Sequence, residues 1–209
     1  MRVPVHLVPG ISALLRYPGE GTTALASALA DAAMESAHPC QEHLEAFALV
    51  CRTSTLKELQ EAYARVFDLN PDCTLEIGWH LFGETYKRGQ FLAMMRFHLR
   101  EQGIDPGSNL PDHLPALLEL TMKLESQDAQ DLVDDCILPA LEKILPALKD
   151  SPYRHVLEAL FVLFTAHRLV DAGAGLGQAP AWGAPGGTQR AEGPGGPPRT
   201  ASTEVSHAG

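Results

Sequence analysis

The sequence predicts an all-α fold: a single helical domain of about eight or nine helices, followed by a tail. Three observations predict it. Apolar residues recur at spacings of three and four through most of residues 1–171. No stretch alternates apolar and polar residues as a half-buried strand does. Helix-breaking pairs such as Pro18-Gly19, Asn70-Pro71 and Pro106-Gly107 separate the periodic segments.

The elements follow in order. Ile11 to Tyr17 is a short apolar turn closed by Pro18-Gly19. Thr22 and Thr23 are N-cap candidates for a helix through Glu35, since a side-chain oxygen there accepts an unpaired backbone N–H. Gln41 to Arg52 places Leu44, Phe47, Ala48 and Cys51 on one face. Thr53-Ser54-Thr55 ends that helix and caps the next, where Leu56, Leu59, Tyr63, Val66 and Phe67 share a face. Leu75 to Phe82 is compact and helical, with Gly83 as its C-cap. Arg88 to Gln102 carries Phe91, Met94, Met95, His98 and Leu99 at helical spacing. A loop over 104–111 precedes a helix from Leu114 to Leu124, which tolerates Pro115 in its first turn. Asp128 to Lys149 is the longest helix, broken or kinked at Pro139 and Pro146 because proline lacks the N–H and clashes with the preceding turn. Pro152 opens a last helix to about Val170.

The composition divides the chain into a helical domain, 1–171, and a tail, 172–209. The tail holds 10 of the 18 glycines and 5 of the 16 prolines, too little apolar surface to offset the entropy of ordering, so it is expected to be disordered. Trp182 is its one bulky residue. Its charges cancel, so the whole net charge of −10 falls on residues 1–171. That acidity argues against a nucleic-acid partner, which needs Lys and Arg to displace counterions, and suits a basic peptide. Val156 to Ala166 is too short for a membrane span, which needs about 20 apolar residues. The N-terminus does not read as a signal peptide. A cytoplasmic location is the expectation, with Cys40, Cys51, Cys73 and Cys136 as free thiols.

Local signatures of chemistry are few. Gly83 to Gly89 loosely resembles a phosphate loop but lacks the Gly-Lys-Ser/Thr ending and a preceding strand. His38, Cys40 and His43 cluster in sequence, and His80 and Glu84 are four apart, yet neither group has a second matched pair of zinc ligands. No metal and no cofactor are therefore assigned. Asp112-His113 has two readings: Asp112 caps the following helix, or the pair recognises a partner. Glu125, Asp128, Asp131, Asp134 and Asp135 form an acidic stripe, read as a solvated face favoured by the helix dipole or as a site for basic peptide.

One resemblance rests on motifs in order. Tyr63-Ala-Arg-Val-Phe67-Asp68 is followed by Cys73-Thr-Leu75-Glu, then Phe82-Gly83-Glu84-Thr-Tyr86-Lys-Arg88-Gly89, then Leu110-Pro111-Asp112-His113-Leu114-Pro115. Ser12 to Pro18 and Ser151-Pro152-Tyr153 flank them. This pattern, over roughly residues 11–170, resembles the delta-subunit assembly chaperones of respiratory nitrate reductase, within the wider group of maturation chaperones for DMSO-reductase-type molybdoenzymes. Asn109 stands where that family often has an acid, and residues 76–82 depart from its nitrate-reductase members. Chaperones of related molybdoenzymes thus stay open as an alternative.

The resemblance implies a cytoplasmic, helical, non-catalytic protein with no cofactor of its own. Its partner would be the apo catalytic subunit of a molybdoenzyme, held by its N-terminal peptide until the molybdenum cofactor is inserted, before membrane docking or export. It implies peptide contacts by Asp112, His113, Leu114, Pro115, Tyr86, Arg88 and Gly89. Asp112→Ala is then expected to weaken peptide binding without unfolding the chain. Arg88 has a plainer reading as a partner of Glu84, and Gly89 as an allowance for close helix packing. Met94, Met95 and Met122 would supply an adaptable apolar surface. A homodimer is open, because helical domains of this kind exchange segments. From a different class, a metal-dependent helical enzyme using the His, Glu and Cys inventory is the alternative function, and a scaffold subunit with permanent partners is a third reading.

Overall fold

The computed structural model describes residues 7–171, with side chains through residue 166. The tail, expected to be disordered, with its Trp182, and residues 1–6 lie outside the described residues. Ten α-helical segments run through the described part: α1 (Leu7–Leu14), α2 (Thr22–Glu35), α3 (Gln41–Thr53), α4 (Leu56–Tyr63), α5 (Ile77–Phe82), α6 (Tyr86–Glu101), α7 (Leu114–Thr121), α8 (Ser126–Leu132), α9 (Leu138–Ile144) and α10 (Tyr153–Asp171). No strand occurs among the described residues; one isolated antiparallel bridge joins Glu76 to His113.

Helix α3 packs against both α2 and α10, and α1 bridges α2 to α7. Helix α5 packs on α6 and α9, which places it beside the second half of the chain. The centre is aromatic. The Tyr153 ring lies 5.4 Å from Phe47, 5.5 Å from Tyr63 and 5.2 Å from Phe67. Each such pair adds roughly 0.5–1.5 kcal/mol beyond the area it buries. The buried hydroxyls are satisfied: Tyr63 donates to the Leu15 carbonyl at 3.0 Å and Tyr153 to the Leu59 carbonyl at 3.3 Å. Tyr63, Phe67 and Tyr153 belong to the Tyr63–Asp68 and Ser151–Tyr153 motifs, so much of that pattern builds the core.

Several boundaries differ from expectation for local reasons. Helix α1 covers Leu7–Leu14, so Pro9 and Gly10, ahead of the expected Ile11 start, are already helical. At Gly10 a Cβ would overlap the Leu29 side chain, so the missing side chain permits the α1–α2 contact. Thr22 and Thr23 do not cap α2; Gly21 holds the N-cap position, while the Thr22 hydroxyl accepts the Gly19 N–H and the Thr23 hydroxyl donates to the Cys51 carbonyl. Thr55 does cap α4, in a reciprocal box with Glu58. Gly83 ends α5 with φ +57°, a conformation that favours glycine.

Pro139 is preceded by a π-helical stretch, Val133–Ile137, which widens the turn that the ring would otherwise strike. Pro146 sits in a 3₁₀ turn, Leu145–Leu148. A second π-helical stretch, Ala64–Asp68, extends α4 and carries Phe67 into the aromatic centre.

Candidate functional site

The second motif and the fourth meet in space through backbone pairing. The Ile77 N–H donates to the Asp112 carbonyl at 3.0 Å, and the Leu114 N–H donates to the Leu75 carbonyl at 2.8 Å. This clip ties the entry of α5 to the entry of α7 across more than thirty residues of chain.

Asp112 is fully buried beneath the clip. Its Oδ2 accepts the Gly78 N–H at 2.9 Å. Gly78 is the second residue of α5, so Asp112 caps a helix remote in sequence. The expected cap on α7 is not formed: His113 occupies that N-cap position, and its side chain makes no cap bond. Gly78 is where close approach demands glycine, since a Cβ there would lie 2.7 Å from Asp112 Oδ2 and 2.9 Å from the Phe91 ring. Asp112 Oδ1 has no hydrogen-bond partner. Burial pushes the Asp112 carboxyl up to about 6, with Glu76 adding to the rise and the Gly78 N–H and Arg88 opposing it. Burial, aided by Arg16, pushes His113 down to about 4, so its imidazole is neutral at neutral pH.

Above this buried acid lies a surface cleft of about 280 Å³. Arg88 crosses its base. It pairs with Glu76 at 2.5 Å, not with Glu84, and its guanidinium carbon lies 5.4 Å from the centroid of the Trp79 ring. Leu69, 77% exposed, Pro71 and Asp68 also line it. The cleft therefore offers apolar surface beside acidic groups, with a cation held in place by a carboxylate and an indole.

The residues expected to contact peptide separate into two groups. Arg88 lines the cleft, while Tyr86, 83% exposed, is two residues earlier on α6 and Gly89 one residue later, both on the surface. Asp112, Leu114 and Pro115 are buried, and His113 is half-buried. Leu114 and Pro115 thus pack in the core rather than present an apolar surface, and the Pro115 carbonyl accepts the Ser12 hydroxyl at 3.1 Å. Gly89 does not serve close packing: a Cβ there meets nothing within 4 Å. Asp112→Ala would remove a buried cap on α5, at a cost of about 0.5–2 kcal/mol in stability besides any effect on binding. Met95 is core, Met94 is half-buried, and Met122 lines a surface cleft beside Arg16 and Glu119.

Sequence reasoning missed Glu76, Trp79 and Leu69. The signal for Glu76 was present, because it closes the Cys73–Leu75–Glu motif, but its partner Arg88 lies twelve residues on. Loop 104–111 is shaped by its own turns, with the Asp105 side chain accepting the Gly107 N–H at 2.9 Å. It covers a cleft of about 540 Å³ lined by Arg96, Arg100 and Leu110.

The histidines and cysteines that lie close in sequence have other partners. His38 Nδ1 accepts the Cys40 N–H at 3.2 Å and lies 3.1 Å from Cys40 Sγ, in a buried local knot. His80 Nε2 donates to the Thr74 carbonyl at 2.7 Å. All four cysteines are buried free thiols, and burial pushes Cys40 and Cys51 up to about 11. Among the described residues no helix is long and apolar enough to cross a membrane.

The comparisons with known proteins agree with one another. The model of a family described as "Nitrate reductase delta subunit" matches residues 28–166. The chain is 26% identical over 166 residues to the "Nitrate reductase molybdenum cofactor assembly chaperone NarJ" of Escherichia coli strain K12, covering 78% of this chain and 70% of that protein. The protein of the same name from Escherichia coli O157:H7 matches to the same extent.

Proposed function

The chain belongs to the nitrate reductase delta subunit family, and on that premise we propose that it is an assembly chaperone for a molybdoenzyme, respiratory nitrate reductase first. It holds the N-terminal segment of the apo catalytic subunit while the molybdenum cofactor is inserted, before that subunit docks at the membrane or is exported. The cofactor belongs to the client, and the chaperone performs no turnover. We place it in the cytoplasm, where the client is made. The helical part, 1–171, is the working domain, and a homodimer by segment exchange is compatible with it.

The observation that carries this reading is the family match over residues 28–166, which spans the four central motifs. Support for the binding site comes from the cleft between Leu69 and Trp79. Its apolar walls suit the apolar part of a leader segment, and Asp68 and Glu76 suit basic residues beside it. Arg88 lines it from α6, and Tyr86 and Gly89 stand exposed on the same turn of that helix for a peptide that runs past the cleft. Asp112 and His113 act from below, through the backbone clip that sets the position of Glu76, while Leu114 and Pro115 anchor that clip in the core.

Titration of the full chain with a synthetic N-terminal peptide of the nitrate reductase catalytic subunit tests this. Saturable binding is expected, and its affinity falls as salt rises, because exposed charges are screened. Leu69→Asp weakens binding about tenfold, equivalent to about 1.4 kcal/mol, with an unchanged helical signal. Undiminished binding by a folded Leu69→Asp variant would remove the cleft from the site. No binding by the unaltered chain would remove the peptide reading.

A further inference from the structure

We infer that His43, His155 and Glu158 form a binding site for a zinc-class divalent cation that clamps α3 to α10. The three donor atoms lie within 4.8 Å of one another. His155 and Glu158 are three residues apart on α10, so they share a face. That face meets α3, which brings His43, more than one hundred residues earlier, to the same point. His43 Nδ1 is 3.2 Å from Glu158 Oε2, and His155 Nδ1 is 3.9 Å from the same oxygen.

Two details favour a cation over a plain polar cluster. Arg154 Nε donates to Glu158 Oε1 at 2.7 Å, which orients the carboxylate and leaves Oε2 for the imidazoles. An outer partner that fixes a ligand in this way is a common feature of metal sites. His155 Nδ1 is shielded from solvent and has no hydrogen-bond partner, so a buried lone pair faces the cluster unused. The two imidazole-to-carboxylate distances, 3.2 and 3.9 Å, are near what bonds of about 2.0–2.2 Å to a tetrahedral ion produce, and a small closure of the two helices brings all three donors to that spacing. Two imidazoles and one carboxylate suit zinc, with a further position for water or a donor from another chain. The sequence hid the site: His43 reads as a neighbour of His38 and Cys40, and its actual partners lie on the last helix.

The test uses the full chain without an affinity tag, stripped with chelator and titrated with zinc chloride by calorimetry. One tight equivalent is expected, together with a zinc-dependent rise in Tm. Cobalt(II) in place of zinc is expected to give the visible absorption bands of a four-coordinate site. His43→Ala and His155→Ala each abolish the tight equivalent, a larger effect than the roughly 10–100-fold cost of losing an orienting partner. Glu158→Gln keeps the side chain's shape and weakens binding, which guards against a variant that simply unfolds. His98→Ala leaves binding intact. Absence of a tight equivalent and of cobalt bands overturns the inference, as does a tight equivalent that survives in both histidine variants.

Discussion

Asp112 and His113 are neighbours whose titrations oppose each other. The folded protein holds the Asp112 proton up to about pH 6, whereas an ordinary aspartate releases it near 3.8. In that window stability falls as pH rises. His113 stays neutral down to about pH 4, whereas the unfolded chain protonates it near 6.5. There stability falls as pH drops. Each slope is about 1.4 kcal/mol per pH unit, and between about pH 4 and 6 they offset. Asp112→Asn keeps an acceptor for the Gly78 N–H and removes one of the two slopes. Relative to the unaltered protein, the variant should lose about 3 kcal/mol between pH 6.5 and 4. Urea unfolding at several pH values checks this, and parallel profiles would contradict the burial of the pair. Two glycines test the same region. Gly78→Ala should cost about 1–3 kcal/mol by overpacking against Asp112 and Phe91. Gly89→Ala, facing open space in α6, should stabilise by roughly 0.5–1 kcal/mol. Sequence alone marked Gly89 because it lies in a motif. It passed over Gly78, whose constraint comes from a carboxylate thirty-four residues away.

Helices were legible where one face is apolar at regular spacing. In α3 all four residues placed on the buried face, Leu44, Phe47, Ala48 and Cys51, are buried. In α6 Phe91, Met95 and Leu99 of the expected face are buried, and Met94 and His98 are half-buried at its margins. Both proline positions in the 126–148 region gave the irregularities that a missing N–H requires. Caps were legible only when the whole exchange is local, as in Thr55 with Glu58. They failed at Thr22, whose hydroxyl has a turn to close, and at Asp112, which caps a helix on another part of the chain. The aromatic centre joins α3, α4 and its π-helical extension to α10. Tyr153→Phe should cost about 1 kcal/mol by leaving the Leu59 carbonyl without its side-chain donor. Tyr153→Ala should cost about 3–5 kcal/mol, since it empties a fully buried aromatic site. Thermal or urea unfolding separates the two, and equal losses would show that the ring contributes little.

At the scale of the molecule, the chain is an acidic helical body with net charge −10. Its family pattern serves two purposes. Tyr63, Phe67 and Tyr153 hold the core together, and Glu76, Arg88 and Asp112 build the cleft and its support. That division was not readable from order and spacing, because both kinds of residue recur in the same short motifs. It became readable through burial, which sends Leu114 and Pro115 inward and leaves Leu69, Trp79 and Tyr86 at or near the surface. The central claim is that this body holds an unfinished molybdoenzyme subunit. The most direct test is to purify the full chain from its native cells, with cofactor synthesis on or blocked, and identify what accompanies it by mass spectrometry. The account predicts recovery of the apo catalytic subunit, with more of it when the cofactor cannot be made. Recovery of no such subunit from cells that express it would contradict the account.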